Sequence, residues 1–265
     1  MSLSLSAWQQ QSVAALQKKN MPAASVRDVT LLAYFFWDDD RINTQFFTIE
    51  CAFLCAHYFL GELPSVLVVN RLTPRIKAFC DQHHIDIQVD ATLTGGVPRM
   101  NIDCITTLHK RFSTPYVLII QSDGFPLQSG IEPFVGKYDY VGAPWIRHLS
   151  WYDWFPYPRY CVGNGGFALR SKKICEQASR AYSRWCSRLP YTWLVGDDVF
   201  YCKTMPFLSR EWRASIVYAP PEVAGRFSVE HNDEFFPKDR QPFGFHARYG
   251  FERIANRFGL PTFEL

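Results

Sequence analysis

The sequence predicts a mixed α/β fold, a single mostly parallel sheet flanked by helices in one domain. Three observations carry that prediction. Between residues 28 and 120, four short apolar runs alternate with three longer segments of helical character, the pattern of a parallel sheet with crossover helices. The apolar runs are continuous rather than alternating, as expected of strands covered on both faces. The 265 residues, 48% hydrophobic and 20% charged, have an ordinary globular balance and suffice for one substantial core.

Taken in order, residues 5–20 read as a short amphipathic helix with Leu5, Trp8, Val13 and Leu16 as its stripe. It is assigned to the periphery, so residues 1–25 are set apart as an extension of a domain spanning 26–265. Residues 28–37 (DVTLLAYFFW) form the first buried strand and end in Asp38-Asp39-Asp40-Arg41. A helix follows over 43–59, then a strand over 65–69 (SVLVV). Residues 73–84 are a helix, with Thr73 able to cap it and Pro74 at its first position. Residues 85–89 make a third strand, 101–112 a helix, and 116–120 (YVLII) a fourth strand that runs into Gln121-Ser122-Asp123. On such sheets ligands bind where strands end at their carboxyl side, so both polar clusters mark candidate sites.

The second half is less regular. Residues 138–144 (YDYVGAP) read as a short strand, and 145–160 as a loop rich in Trp and Tyr. The glycine-rich segment 162–171 (VGNGGFALRS) precedes a helix over about 172–187, and Gly196-Asp197-Asp198 opens another with an acidic residue in its capping turn. From there to Phe245-His246 the chain reads as proline-rich loops and short strands. No linker or internal repeat divides it.

Composition narrows the function. The net charge is +3, and the basic residues are dispersed rather than gathered in a tract, which argues against a nucleic-acid partner. Eight cysteines include no C-x-x-C pair and sit among apolar residues, as buried thiols of a reducing compartment do. No apolar leader core and no run of about 18 apolar residues is present. The expectation is a soluble, cytoplasmic protein, with peripheral membrane association compatible.

The series YVLIIQSDGFPL, YDYVGAPW, VGNGGFALRS, GDDVF and PFGFH resembles the motif order of GT-A glycosyltransferases. It is most similar to a large, mainly bacterial family assigned to that activity. The resemblance spans roughly residues 28–250, with YDYVGAPW and VGNGGFALRS its most specific pieces. It implies a GT-A-like, Rossmann-like sheet and transfer of a sugar from a nucleotide-sugar donor, a UDP-sugar, to a glycan or lipid-linked acceptor. Inversion with an aspartate base and a role in polysaccharide biosynthesis follow from the same resemblance.

The resemblance also implies roles for particular residues. Asp198 matches the catalytic base, with Asp197 beside it as acceptor contact or helix cap; capping alone is the plainer alternative. Asp123 and His246 match metal or diphosphate contacts, and the ion would be Mn²⁺ or Mg²⁺. The chain departs from the Asp-x-Asp pattern because Gln121 stands at the first acidic position, and Asp123 with Gly124 also suits a simple turn. Ser122, Gly165 and Gly166 would line the donor, the glycines by letting the backbone approach closely. Asp38 and Arg41 lie where the nucleotide is expected, although three adjacent aspartates also suit a solvated loop, and Arg99 is a weaker candidate for the phosphate. Trp145 and Asn164 are the acceptor candidates.

Two other function classes remain in view. One is a GT-A-fold carbohydrate-binding protein that has lost catalysis, which Gln121 favours. The other is a different nucleotide-dependent enzyme, such as a nucleotidyltransferase or metal-dependent phosphohydrolase, which would need more convergent carboxylates than this chain displays.

Overall fold

A computed structural model of the chain describes residues 4–145, 162–187, 196–231 and 234–263. The first half follows the predicted alternation. Helix α1 (Leu5–Leu16) leads to β1 (Val29–Phe35), then α2 (Arg41–Thr44), α3 (Phe46–Leu60), β2 (Ser65–Val69) and α4 (Pro74–Gln82). β3 (Ile85–Val89), α5 (Gly96–Thr106) and β4 (Tyr116–Ile120) complete it. Thr73 caps α4 as expected, its hydroxyl accepting from the Ile76 amide.

Strands β5 (Gly124–Pro126), β6 (Tyr140–Val141) and β7 (Ala168–Ser171) come next, followed by α6 (Lys172–Ala181) and the short α7 (Asp197–Val199). The main sheet has the order β3-β2-β1-β4-β7-β6. The first four strands are parallel, and β7 is antiparallel to both β4 and β6. Every residue of β1, at the centre, is buried, which explains its uninterrupted apolar sequence. The fold is thus a mostly parallel mixed α/β sheet flanked by helices.

The C-terminal third differs from expectation. It is largely helical: α8 (Met205–Leu208), α9 (Arg210–Ser215), α10 (Pro221–Phe227) and, after β8 (Ser228–Val229) and β9 (Gly244–His246), α11 (Ala247–Phe258). Its prolines misled the sequence reading because Pro206 and Pro221 occupy first turns of helices, where a missing N–H costs nothing. Similarly α5 begins at Gly96, whose φ of +70° turns the chain into the helix, and not at Asn101. The strand expected over 138–144 joins the sheet only at Tyr140–Val141, and beyond it Pro144 forms a single antiparallel bridge with Val162.

A second sheet, β5-β9-β8, packs beside the first. Helix α1, expected at the periphery, is built into the molecule beneath it. Trp8, Gln9, Ser12, Val13, Ala15 and Leu16 are buried, and Trp8 stacks on Phe125 with ring centroids 6.1 Å apart. The seven described cysteines are free and buried; Cys161 lies outside the described residues. Among the described residues no helix is long and apolar enough to cross a membrane.

An ionic cluster ties α5 to the sheet. Asp103 accepts from Tyr34 Oη at 2.6 Å and from Arg111 Nε and Nη2, each at 2.6 Å. Arg111 also reaches Asp90 at 2.7 Å and Gln88 at 3.0 Å. Removing one member of a buried pair leaves the other charge uncompensated. Asp103→Ala should therefore lower stability by about 3 kcal/mol in urea denaturation, and a loss below about 1 kcal/mol would show the cluster to be solvated.

Candidate functional site

One cavity of about 670 Å³ opens at the carboxyl ends of β1 and β4, where an open α/β sheet binds ligands. Its walls are contributed by the end of β1 (Tyr34 to Asp38), by Arg41 and Gln45, by the start of α5 and by Gln121-Ser122. Gly165-Gly166, Gly196 to Asp198 and His246 close it. The sheet order thus gathers motifs more than 200 residues apart in sequence.

The two adjacent aspartates have separate partners. Asp197 is buried, and its Oδ2 receives Arg170 Nη2 at 2.6 Å. Arg170 is itself fully buried, between the rings of Tyr140 and Tyr201 at 5.4 and 4.6 Å. Burial opposes its charge, but Asp197 chiefly, then the surrounding hydroxyl and thiol groups, hold its pKa well above the usual value. Asp198 has no ion-pair partner among the described residues, and it faces the cavity with its Oδ1 accepting only from the Val199 amide at 2.8 Å. Burial, followed by the charge of Asp197, pushes its carboxyl up to about 6, against that amide and Arg170. A carboxylate with this pKa suits proton acceptance near neutrality.

The two most specific sequence motifs prove to be one packing unit. Tyr140 Oη donates to the Asn164 carbonyl at 2.8 Å, and the Gly163 amide donates to Ala143 O at 3.0 Å. The Trp145 ring lies where a Gly163 side chain would stand, and Lys203 sits 5.0 Å from the ring centroid. Asn164 adopts φ +74° and folds its own loop, with Oδ1 accepting from the Gly166 and Phe167 amides at 2.9 and 3.2 Å. This Asx turn explains the asparagine that glycine geometry alone did not. Asn164 and Trp145, the acceptor candidates, are therefore next to the cavity wall rather than in it. The rest of the aromatic loop, 146–160, lies outside the described residues.

Ser122 and Asp123 form the two-residue turn between β4 and β5, closed by Gln121 and Gly124 bonding at 2.8 and 3.1 Å. The turn expected at Asp123 is present, and its side chain also faces His246. Asp123 Oδ1 lies 4.0 Å from His246 Nε2. The small sheet makes this meeting possible, since Gly124 pairs with His246 across β5 and β9. On the far side of the ring, Nδ1 is 3.0 Å from Glu230 Oε1. Burial opposes a charge on His246, but Glu230, then Asp123 and Asp198, outweigh it and raise its pKa above the usual value.

Asp123 and His246 carry donor types that suit a divalent cation. A gap of 4.0 Å is less than twice the roughly 2.1 Å bond of a Mg²⁺ ion to oxygen. A side chain at position 166 would collide with His246 Nε2, so the glycine keeps the space before that nitrogen clear. Among the described residues no group of three or more His, Cys, Asp and Glu side chains is arranged around a metal. An ion here would take two protein donors and complete its shell from ligand oxygens and water.

At the end of β1, Asn70 Nδ2 donates to the Trp37 carbonyl at 3.2 Å and to Asp38 Oδ1 at 3.3 Å. Arg41 lies 4.2 Å over the Trp37 ring and pairs with Asp39 at 2.8 Å. Asp38 and Arg41 thus reach the cavity, while Asp39 holds Arg41 and Arg99 is exposed elsewhere. Sequence reasoning missed Arg170, Glu230 and Asn70. Arg170 had a weak signal, as a charge inside an otherwise apolar strand (FALRS). Glu230 and Asn70 had none, because only tertiary pairing gives them a role.

Residues 101–246, more than half of the chain, match the family described as protein of unknown function (DUF5672), and the chain belongs to that family. No curated protein matches it by sequence. The fold is similar to that of the mannosyltransferase Ktr4p from S. cerevisiae, with TM-score 0.50 and 7% identity over 76% of this chain and 74% of that one. Core-mannan synthase A (CmsA/Ktr4) from Aspergillus fumigatus, in its Mn/GDP form, aligns at TM-score 0.47 and 9% identity, again over 76% and 74%. Mannosyltransferase PcManGT from Pyrobaculum calidifontis, in complex with GDP-Man and Mn²⁺, aligns at 0.43 and 13%, over 82% of this chain and 64% of that one.

A side chain at position 165 would run into Asp197 Oδ1, which Arg170 prevents from moving. Gly165→Ala should accordingly cost about 1–3 kcal/mol in chemical denaturation. Stability within about 0.5 kcal/mol of the parent would show that Asp197 is free to swing away.

Proposed function

We propose that this member of the DUF5672 family is a nucleotide-sugar-dependent glycosyltransferase. It would move a sugar from a UDP-sugar to a glycan or lipid-linked saccharide, with inversion, at the cytoplasmic side. The observation that carries this reading is the cavity itself. It sets a carboxylate with a pKa near 6, Asp198, in one space with a metal-competent His246 and a glycine wall. The S. cerevisiae protein of similar fold is a mannosyltransferase, which supports sugar transfer as the class of reaction.

In this reading Asp198 accepts the proton of the acceptor hydroxyl as that oxygen attacks the anomeric carbon. Arg170 engages Asp197, leaves Asp198 as the unpaired member, and fixes the helix start that presents it. Gly165 and Gly166 let the backbone close on the donor sugar. Asp38 and Arg41 border the nucleotide end, and Ser122 the diphosphate. A Mn²⁺ or Mg²⁺ ion held by Asp123 and His246 would offset the charge of the diphosphate as it departs. Trp145 and Asn164 act on the acceptor side by shaping the wall. The competing reading, a carbohydrate-binding protein without catalysis, rests on Gln121, an amide where a second acidic residue is expected.

Thermal-shift titrations with UDP-, GDP-, CMP- and dTDP-sugars, with Mn²⁺ or EDTA, test the donor. At 100 times its dissociation constant the true donor adds about 2.7 kcal/mol. The expected result is a UDP-specific shift that EDTA abolishes; a shift with sugars alone would favour the non-catalytic reading.

The base is tested separately. Asp198→Asn should lower kcat by about 10²–10⁴ with donor affinity unchanged. A base works only when ionised, so kcat/KM of the parent should rise with pH through about 6. The groups facing Asp198 are Asp197, Arg170, Glu230 and His246, and Arg170→Gln should move this limb upward by removing the cation. Full activity of Asp198→Asn would refute the assignment.

A further inference from the structure

We infer that Glu230 is a positioning residue, which accepts a hydrogen bond from His246 Nδ1 and so presents Nε2, bare and oriented, to a divalent cation beside Asp123. The inference rests on the proposed function only in taking that cation as the ligand.

The contact is set by main chain before side chains enter. Strands β8 and β9 run parallel with Ser228 opposite Gly244 and Val229 opposite Phe245. One residue further along each strand stand Glu230 and His246, so the ladder delivers carboxylate to imidazole. Both side chains are largely shielded, at 15% and 18% exposure, with Oε1 and Nδ1 3.0 Å apart.

The ring has little freedom. A side chain at Gly124 would meet His246 Cδ2 at 2.9 Å, and one at Gly166 would collide with Nε2. The imidazole therefore lies in a slot between two glycines. What the slot does not determine is which nitrogen carries the proton, and an acceptor at Nδ1 settles that. Carboxylate–histidine pairs of this kind fix the ring tautomer and strengthen the free nitrogen as a ligand.

A glutamate is more than structure requires here. Shielding a carboxylate costs solvation, and a glutamine could accept the same hydrogen bond. His231, also within 3.6 Å of Glu230 Oε1, is 55% exposed and leaves the carboxylate oriented toward His246. The charge is accounted for if the ring must bind a cation rather than merely pack.

The test compares the full-length parent with Glu230→Gln, Glu230→Leu and His246→Ala. Affinity for Mn²⁺ alone is read by electron paramagnetic resonance, and the His246 tautomer by ¹⁵N chemical shifts in metal-free protein. At alkaline pH, where the ring is neutral, the parent should show a protonated Nδ1 and a bare Nε2. Glu230→Leu should bind Mn²⁺ about 10–100-fold more weakly, as removing the hydrogen-bond acceptor behind a ligating histidine does. Glu230→Gln, nearly isosteric and expected to fold, should keep the tautomer but lose roughly 10-fold in affinity. Mn²⁺ affinity within twofold of the parent in both variants, or a parent that binds no Mn²⁺, would overturn the inference. Because neither readout uses a sugar nucleotide, a Glu230-dependent Mn²⁺ site in a protein without transferase activity would refute the transferase and leave Glu230 in place.

Discussion

Arg170 sits fully buried on the antiparallel flank of the sheet, and a charge in that position dictates much of what surrounds it. A lone guanidinium in the interior is too costly to exist unpaired, so the chain must bring it a carboxylate and polarisable neighbours. Asp197 supplies the first, and the faces of Tyr140 and Tyr201 the second. Each partner then constrains something else. Tyr140 holds the Asn164 carbonyl, Asp197 leaves no room for a side chain at Gly165, and Arg170 Nη2 also approaches the Gly165 carbonyl at 3.4 Å. One glycine position, the Asn164 turn and the acid pair are consequences of one buried charge.

The second constraint is the small sheet. Its three strands come from residues 124–126, 228–229 and 244–246, and it is the device that brings Asp123, Glu230 and His246 together. Helix α1 belongs to the same assembly. Gln9 donates to the Ser122 carbonyl at 2.5 Å, and Trp8 stacks on Phe125, whose ring in turn meets Phe245 at 4.8 Å. The turn carrying Asp123 is thereby braced from below by an element that contributes nothing to the cavity wall.

How far the sequence revealed this depends on the range of the interactions involved. The strands β1 to β4 were legible because burial on both faces writes a continuous apolar run, and Thr73-Pro74 because capping is local. Asp198, Asp123 and His246 were legible as members of an ordered motif series. The helices after residue 200 were not, since a proline at a helix start and one in a loop look alike without the fold. Glu230 was invisible for a different reason: nothing within ten residues distinguishes it from a surface acid, and its role arises only when β8 aligns with β9. Asn164 was half legible, flagged as unexplained by glycine geometry, and its Asx turn required the structure.

The charges around the cavity give the last step. Asp38, Asp197 and Asp198 line it, Asp123 stands beside it, and Glu230 lies behind His246. Against them, among the described residues, stand Arg170, paired through Nη2 with Asp197, and Arg41, exposed and already paired with Asp39. Counting the described carboxylates and guanidinium groups, an anionic diphosphate in this space would meet more negative than positive charge. In the proposed reading, a divalent cation between Asp123 and His246 would offset that charge where phosphate oxygens would lie. Burial first, and the charge of Asp197 after it, raise Asp198 into the range where it can take a proton. If Asp198 is the proposed base, a cation at the His246 end, away from the Asp197–Arg170 pair, would meet the donor's charge while burial still keeps Asp198 able to take a proton.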